Sequence, residues 1–207
     1  YLLYQVDVAT GEERVLTPFE KTRVSLVGTS NTIKDKILVG LNNRDPRFHD
    51  VHLLDLKTGE LKLVRENTEG FIGFLADDSL TLRWALAQNA AGGMDMYEII
   101  DGKVAETPRE STGLEDSLTT TVAGYTTDGK TLYWIDSRGR NTAALIAEDT
   151  ETGEKRVIAE SDKADIGGTM SDPVTGEVEA YAVYYLRNEW TALDPDVKAS
   201  LEWLDAR

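Results

Sequence analysis

The sequence has no cysteine and only two histidines among its 207 residues. Without cysteine there are no disulfides and no thiolate metal sites, and the absence fits a reducing compartment, so we expect a cytoplasmic protein. Lysine and arginine are also scarce, because 22 basic residues stand against 37 acidic ones and give a formal net charge of −15. This excess of negative charge opposes binding to nucleic-acid phosphates and to anionic lipid surfaces. We therefore predict neither nucleic acid nor a membrane as a partner.

Long apolar runs are missing as well. The stretch 180–186 is far shorter than the roughly 20 residues needed to cross a bilayer. The chain begins at Tyr1, inside an apolar alternation, without a methionine and without the basic-then-apolar order of a secretion signal. We therefore expect a soluble piece of a longer protein.

What the sequence does contain is a repeat of about 47 residues. Four segments share an apolar alternation, a turn with glycine and a second alternation; they are 6–16, 53–64, 96–107 and 147–158, with turn glycines Gly11, Gly59, Gly102 and Gly153. Glycine adopts positive φ without steric cost, as short hairpin loops require, so each segment is predicted to be a hairpin.

Two further sets of strand-like runs lie between these hairpins. One set comprises 36–42, 79–87, 130–137 and 177–186, and the other, richer in glycine and threonine, comprises 24–28, 71–75, 119–125 and 166–170. Four antiparallel strands per repeat of this length are typical of a β-propeller blade. The predicted fold is therefore all-β, a propeller of consecutive four-stranded blades.

Residues 1–192 are predicted to be a partial propeller, incomplete relative to a seven-bladed ring. Its blade pieces are expected at 1–17 (two outer strands), 24–64, 71–107 and 118–158 (whole blades) and 164–187 (two inner strands). The alternative is a β-sandwich with evenly spaced hairpins, which gives no reason for the recurring D-x-x-T-G-E pattern.

The stretch 193–207 is predicted to be a short helix or a linker toward a missing segment. Asp194 can cap a helix and Pro195 suits its first position. Val197, Leu201 and Leu204 then fall on one helical face.

No residue set for catalysis emerges. A serine hydrolase of the α/β type needs a G-x-S-x-G turn, and the nearest run, 28–32, lacks the second glycine, so Ser30 is interpreted as a turn residue. The histidines, His49 and His52, are three residues apart, which in a strand places them on opposite faces. With Asp45 and Asp50 nearby, a metal site stays open if the chain turns at 45–46, but surface histidines are the preferred interpretation.

Paired carboxylates for glycoside hydrolysis are hard to exclude in so acidic a chain. None has special standing, since the cluster 148–151 lies on a predicted outer hairpin and is interpreted as a solvated edge. Asp149, Glu151 and Gly153 echo a calcium loop without its fixed spacing. We predict no catalytic, cofactor-binding or metal-binding residue and no cofactor.

Aromatic residues concentrate in the predicted strands and are interpreted as core packing between blades. They are Trp84, Tyr133, Trp134, Tyr181, Tyr184 and Tyr185.

The segment 42–60, NNRDPRFHDVHLLDLKTGE, resembles the propeller of bacterial prolyl oligopeptidase-family members, in the branch nearest acylaminoacyl peptidases. The segments 1–20 and 171–194 look like adjoining parts of the same domain. Residues 43–46, followed by Asp50 and the Thr58-Gly59 turn, carry the most specific part. The resemblance implies a propeller that sits over an α/β-hydrolase domain carrying the serine, aspartate and histidine, and that admits short peptides only.

On this basis the chain is expected to be the non-catalytic propeller of a serine peptidase, with the hydrolase domain of the same parent chain as its partner. Two other classes stay open, a stand-alone scaffold for protein interaction and a propeller glycosidase. Because an unclosed set of blades exposes strand edges, a homodimer or a rearranged ring, in which the first two strands complete the last blade, is also expected.

Overall fold

The computed structural model describes residues 2–206, so Tyr1 and Arg207, which fall in the first and last predicted pieces, lie outside the described residues. The chain forms two compact units. The first comprises Tyr1–Gln88 and Asp95–Glu110, and the second comprises Asn89–Met94 and Ser111–Arg207.

Within the described residues, strands follow one another until a single helix at the end. In chain order the elements are β1 (Tyr4–Val6), β2 (Glu13–Val15), β3 (Val24–Gly28), β4 (Lys36–Asp45), β5 (Phe48–Asp55), β6 (Leu61–Arg65), β7 (Gly73–Ala76), β8 (Leu82–Gln88), β9 (Met94–Ile100), β10 (Lys103–Val104), β11 (Glu110–Ser111), β12 (Thr121–Tyr125), β13 (Thr131–Asp136), β14 (Ala144–Asp149), β15 (Lys155–Ala159), β16 (Ile166–Ser171), β17 (Val178–Tyr185), β18 (Arg187–Ala192) and α1 (Pro195–Asp205).

The strands form five antiparallel sheets, which we number along the chain. Sheet 1 is β1-β2, sheet 2 is β3-β4-β5-β6, sheet 3 is β7-β8-β9-β10 with β11 also on β9, sheet 4 is β12-β13-β14-β15, and sheet 5 is β16-β17-β18. Apart from β11, each strand pairs with its neighbour in sequence, as in propeller blades, and within residues 2–206 no strand crosses between sheets as in a sandwich. The all-β propeller fold with a short final helix is confirmed.

Sheet 3 shows how a blade tolerates an interruption. Both β10 and β11 pair with β9, and together they fill the place of one fourth strand. Pro108 lies in the break between them, and proline cannot donate to a sheet ladder.

Consecutive sheets pack against each other inside each unit, and sheet 2 is covered on both of its faces. In β4, Leu38 is buried with residues of sheet 3, whereas Val39 is buried with Leu16, which directly follows β2. In sheet 4, Tyr133 and Ile135 are buried together with residues of sheet 5. Strands that are covered on both sides are apolar on both sides, which is why these runs are nearly continuous in apolar residues.

The D-x-x-T-G-E turns owe their pattern to one hydrogen-bond arrangement. In the turn after β5, Asp55 Oδ1 accepts from the amides of Lys57 and Thr58, each at 2.9 Å. The amide of Gly59, at φ +78°, donates to the Asp55 carbonyl. These contacts, led by the Thr58 amide, hold the pKa of the Asp55 carboxyl below its usual value. The same arrangement recurs in the turns that begin at Asp7, Asp149 and Asp172.

Helix α1 forms as the pattern predicts. The Asp194 side chain accepts from the amides of Asp196 and Val197, and Pro195 occupies the first turn. Val197 and Leu201 are half-buried, while Leu204 of the same predicted face is exposed. No helix in the described part of the chain is both long and apolar enough to cross a bilayer.

The last blade differs from the expectation of two strands over 164–187. A third strand, β18, follows a one-residue connection at Leu186 and pairs with β17 along its length, from Tyr185↔Arg187 to Ala180↔Ala192. Its mixture of charged, polar and aromatic residues hides the alternation on which strand prediction depends. The predicted rearranged ring is also wrong for a single copy, because β1 and β2 form a sheet of their own.

Candidate functional site

The hairpin between β4 and β5 holds a group of closely hydrogen-bonded polar side chains. The backbone turns at 46–47, and Asp45 pairs with Phe48 at the end of the ladder. Asn42 stabilises the turn, since its Nδ2 donates to the Pro46 carbonyl at 3.0 Å and its Oδ1 accepts from the Arg23 amide. The run 43–46 that carries the family resemblance is thus the tip of this hairpin.

A buried carboxylate lies just below the tip. Asp50, 3% exposed, accepts from Arg44 Nε and Nη2, both at 2.7 Å, and from the Asn67 amide at 2.7 Å. Arg44 Nη2 also donates to the Asn67 carbonyl at 3.0 Å. We call Arg44, Asp50 and Asn67 the Arg44 network. Its arginine holds the pKa of the Asp50 carboxyl below its usual value.

Asn67 extends the network into the connection between sheets 2 and 3. Its Oδ1 accepts from the amides of Gly70 and Phe71, and its Nδ2 donates to the Phe71 carbonyl at 2.7 Å. The Arg44 network therefore joins the hairpin tip to the connection that leads into β7, which is a structural role.

The second acidic group at the tip is also neutralised. Asp45 accepts from the Arg47 backbone amide and from its guanidinium, with Nη2 at 2.8 Å. These bonds lower the pKa of Asp45 to about 2. Since both carboxylates near the histidines are engaged by arginine, they do not form an anionic pair for a metal. Among the described residues no cluster of three or more metal-binding side chains occurs.

The two histidines lie apart on β5. They fall three residues apart in a regular strand, so their side chains point to opposite faces, as predicted. His52 Nδ1 lies 3.2 Å from the Asp50 carbonyl oxygen. Burial lowers the pKa of His49, and its Nε2 is buried without a hydrogen-bond partner in residues 2–206. No hydrogen bond joins either imidazole to a serine hydroxyl in that range.

Ser30 lies in the connection between β3 and β4, where the sequence places it as a turn residue. Its hydroxyl accepts from the Ile33 amide at 2.7 Å and lies 3.3 Å from Asp78 of the next blade. Asp78 also accepts from the Asn31 amide and from the Thr32 hydroxyl. The corresponding connection of sheet 4 makes a similar link, since Thr127 donates to the Thr175 carbonyl at 2.8 Å. Ser30 and Asp78 are 48 residues apart, and so are Thr127 and Thr175. This separation is about one repeat, so the period of the sequence could have predicted these links.

The cluster 148–151 requires a correction. Asp149 and Glu151 are exposed as predicted, but Glu148 is fully buried. Its carboxylate accepts from Trp134 Nε1 at 2.8 Å and lies 3.6 Å from Lys155 Nζ, which in turn stands over the Trp134 ring. Glu148 closes the buried run of β14 and points inward, so its burial depends on neighbours that a linear pattern does not show.

The aromatic residues divide into two groups. Trp84, Trp134 and Tyr133 are buried and Tyr181 is half-buried against the same core as Tyr133, in agreement with the prediction of core packing. Tyr184 and Tyr185 are exposed, so that prediction is wrong for them. They stand at the tip of the β17–β18 hairpin, where the Tyr184 ring lies over Gly167 and Gly168 of β16 and its other face is exposed.

Comparison with known proteins relates this geometry to a family. No family model matches the chain. Over 204 residues the chain is 44% identical to dipeptidyl aminopeptidase BIII of Pseudoxanthomonas mexicana, a match that covers 99% of this chain and 30% of that protein. The resemblance to the propeller of the prolyl oligopeptidase family is confirmed. A match of 24% identity over 202 residues to dipeptidyl peptidase family member 6 of Caenorhabditis elegans covers 93% of this chain and 27% of that protein.

Solved structures agree on the fold. The chain is similar to TolB from Acinetobacter baumannii, with a TM-score of 0.54 and 16% identity over 94% of this chain and 49% of that one. It is also similar to a prolyl endopeptidase, with a TM-score of 0.53 and 15% identity over 94% of this chain and 31% of that one. The chain thus spans less than a third of the curated relatives it matches.

Proposed function

We propose that this chain is the non-catalytic propeller portion of a serine peptidase, where it docks on an α/β-hydrolase domain and restricts which substrates reach it. The observation that carries the proposal is the 44% identity to a dipeptidyl aminopeptidase along 99% of this chain. That match uses 30% of the relative's length, which leaves ample room for a separate catalytic domain.

The arrangement of the described residues supports a role without chemistry of its own. The polar side chains that the sequence offers as candidates make structural contacts. Asp50 forms an ion pair with Arg44, Asp45 forms one with Arg47, and the Ser30 hydroxyl accepts a hydrogen bond within its turn. A serine nucleophile needs a base within hydrogen-bond reach, and neither imidazole has a serine there. The substrate class suggested by the relative is a short peptide from which a dipeptide is released.

The test compares the chain with a version extended by a domain that contains G-x-S-x-G. We expect the 207-residue chain to leave dipeptidyl nitroanilide reporters uncut, and the extended protein to cleave them. For the gating role, the extended protein is expected to cleave short peptides and to spare the same sequence displayed in a folded protein.

Two controls make the assay decisive. A Ser30→Ala variant of the 207-residue chain should behave as the unchanged chain, which excludes a hidden nucleophile in the nearest motif. Turnover by the isolated chain that stays with it through successive purification steps would contradict the proposal, as would an extended protein that cuts folded and short substrates equally well.

A further inference from the structure

Two exposed leucines lie on residues 112–120, which join β11 to β12 and which we call the β11–β12 connection. Leu114 is 64% exposed and Leu118 is 94% exposed. The equivalent connection 160–165 exposes only charged side chains, and 66–72 exposes a single apolar one. An exposed apolar patch at a position where the equivalent connections are mainly polar points to an interaction surface.

Hydrogen bonds hold the β11–β12 connection in one shape. Ser137, in the hairpin between β13 and β14, donates from its Oγ to Asp116 Oδ1 at 2.8 Å, and the same hydroxyl lies 2.7 Å from Thr119 Oγ1. The Thr120 amide donates to the Asp116 carbonyl at 2.8 Å. The two leucines flank Asp116 in the sequence, so an ordered turn presents them. A partner that covers them therefore loses little backbone entropy on binding.

The exposure of the leucines does not arise from an unfinished neighbouring blade. The two sheets that the connection joins, sheets 3 and 4, both have their fourth strand within residues 2–206. The start of the connection is already packed, since the Thr112 amide donates to the Met94 carbonyl at 2.8 Å and Leu114 Cδ1 lies 3.4 Å from where a Cβ on Gly92 would stand. Propeller blades pack side by side, so a further blade does not cover a connection between two blades that are present.

The connection also lies at the end of sheet 4 where the chain enters and leaves the blade. The four strands alternate in direction, which places Thr121, Asp136 and Ala159 at the same end of the sheet. A segment that runs from a complete four-stranded blade to a separate domain begins at this end. A domain tethered in this way has its highest local concentration there.

We propose that Leu114 and Leu118 form a docking surface for the α/β-hydrolase domain of the parent chain and bind an apolar patch on that domain. This docking surface rests on the proposed function, which supplies the partner. The match to the dipeptidyl aminopeptidase covers 30% of that protein, so the relative has the length for such a domain outside the matched region. Covering the two leucines removes apolar surface from water, which stabilises the contact between the domains.

The first test identifies what covers the leucines in the extended protein, which carries the G-x-S-x-G domain. Position 118 is replaced by the photoreactive residue p-benzoylphenylalanine, and the irradiated protein is digested and analysed by mass spectrometry. We expect position 118 to couple to a residue of the G-x-S-x-G domain. The matched control is the same replacement at Val174, 73% exposed in the turn between β16 and β17 at the opposite end of a blade, which should not couple to that domain.

Coupling of position 118 to another blade, to a second copy of the protein or to nothing would overturn the docking surface. The outcome is separable from the proposed function. An extended protein that cleaves dipeptidyl reporters but does not couple at position 118 keeps its peptidase assignment and loses only this surface. An extended protein without peptidase activity refutes the proposed function itself.

The second test removes the apolar surface with the double variant Leu114→Ser, Leu118→Ser. Both side chains are exposed in the 207-residue chain, so there the variant should unfold at the same urea concentration as the unchanged chain. In the extended protein we expect the amides of 112–120 to exchange with deuterium about tenfold faster or more, because two buried leucines are lost from the contact. Val174→Ser should leave that exchange unchanged. Equal exchange with and without the leucines in the extended protein would contradict the proposal.

Discussion

Asp50→Ala gives the sharpest test of the hairpin that carries the family resemblance. The substitution removes three charge-assisted hydrogen bonds, two from Arg44 and one from the Asn67 amide, all at 2.7 Å. The Arg44 ion pair and the Asn67 hydrogen bond contribute differently to the free energy of unfolding. The Arg44 side chain is 39% exposed and can be rehydrated, so its ion pair counts for little. Asn67 is buried, and an unpaired buried amide costs about 2 kcal/mol.

We therefore expect Asp50→Ala to lower the free energy of unfolding of the first unit by about 2 kcal/mol. Asp50→Asn keeps an oxygen acceptor for the Asn67 amide and should lose clearly less. Asp45→Ala at the same hairpin tip breaks only the Arg47 pair at the surface, and it serves as the matched control with a much smaller loss.

The assay is urea unfolding followed by tryptophan fluorescence. Trp84 is the tryptophan of the first unit, whereas Trp134, Trp190 and Trp203 belong to the second, so Trp84→Phe assigns a transition to its unit. The pH dependence supplies a second readout. Because the folded pKa of Asp50 is lowered, its contribution is present above the unfolded pKa near 4 and is lost as the pH falls through the folded value.

The stability difference between Asp50→Ala and the unchanged chain should accordingly be constant above about pH 5 and shrink below about pH 4. An Asp50→Ala variant as stable as Asp45→Ala, or a difference that grows on acidification, would refute the Arg44 network as described.

Two further substitutions test the turns and the buried carboxylate, both by the same unfolding assay. Gly59→Ala places a side chain at φ +78° with no neighbour within 4 Å, so it should cost about 1 kcal/mol through backbone conformation alone, while Gly59→Asn should cost less; equal losses would contradict this origin. Glu148→Ala leaves the buried Trp134 Nε1 without its acceptor and should cost about 3 kcal/mol, whereas Glu148→Gln keeps an acceptor and should cost less. A Glu148→Ala loss below that of Gly59→Ala would count against the burial of this group.

The sequence predicts the blade pattern well because each turn can be recognised from a few consecutive residues. Gly11, Gly59, Gly102 and Gly153 all adopt positive φ, at +74°, +78°, +75° and +74°. For three of them the conformation follows from residues within the same six-residue turn, whereas Gly102 lies in the two-residue Asp101-Gly102 turn. Among the predicted strands, 24–28 agrees with β3 to the residue.

What the sequence does not show depends on neighbours from elsewhere in the chain. Glu148 looks like part of an acidic surface until Trp134 is seen to cover it. Tyr184 has the alternation of a core residue, but its ring covers Gly167 and Gly168 of β16 and remains 52% exposed. The Arg44 network joins residues 17 and 23 positions apart, and no local pattern signals that pairing.

The strong negative charge deserves a second interpretation in light of the turns. Asp7, Asp55, Asp149 and Asp172 each accept hydrogen bonds from amides of their own turn, and the pKa of each is held below its usual value. Carboxylates in these positions act as backbone acceptors, since aspartate satisfies turn amides that would otherwise bond to water. Part of the net charge of −15 is therefore a consequence of building blades from such turns. The same charge still opposes nucleic acid, but it is weak evidence for a cationic partner.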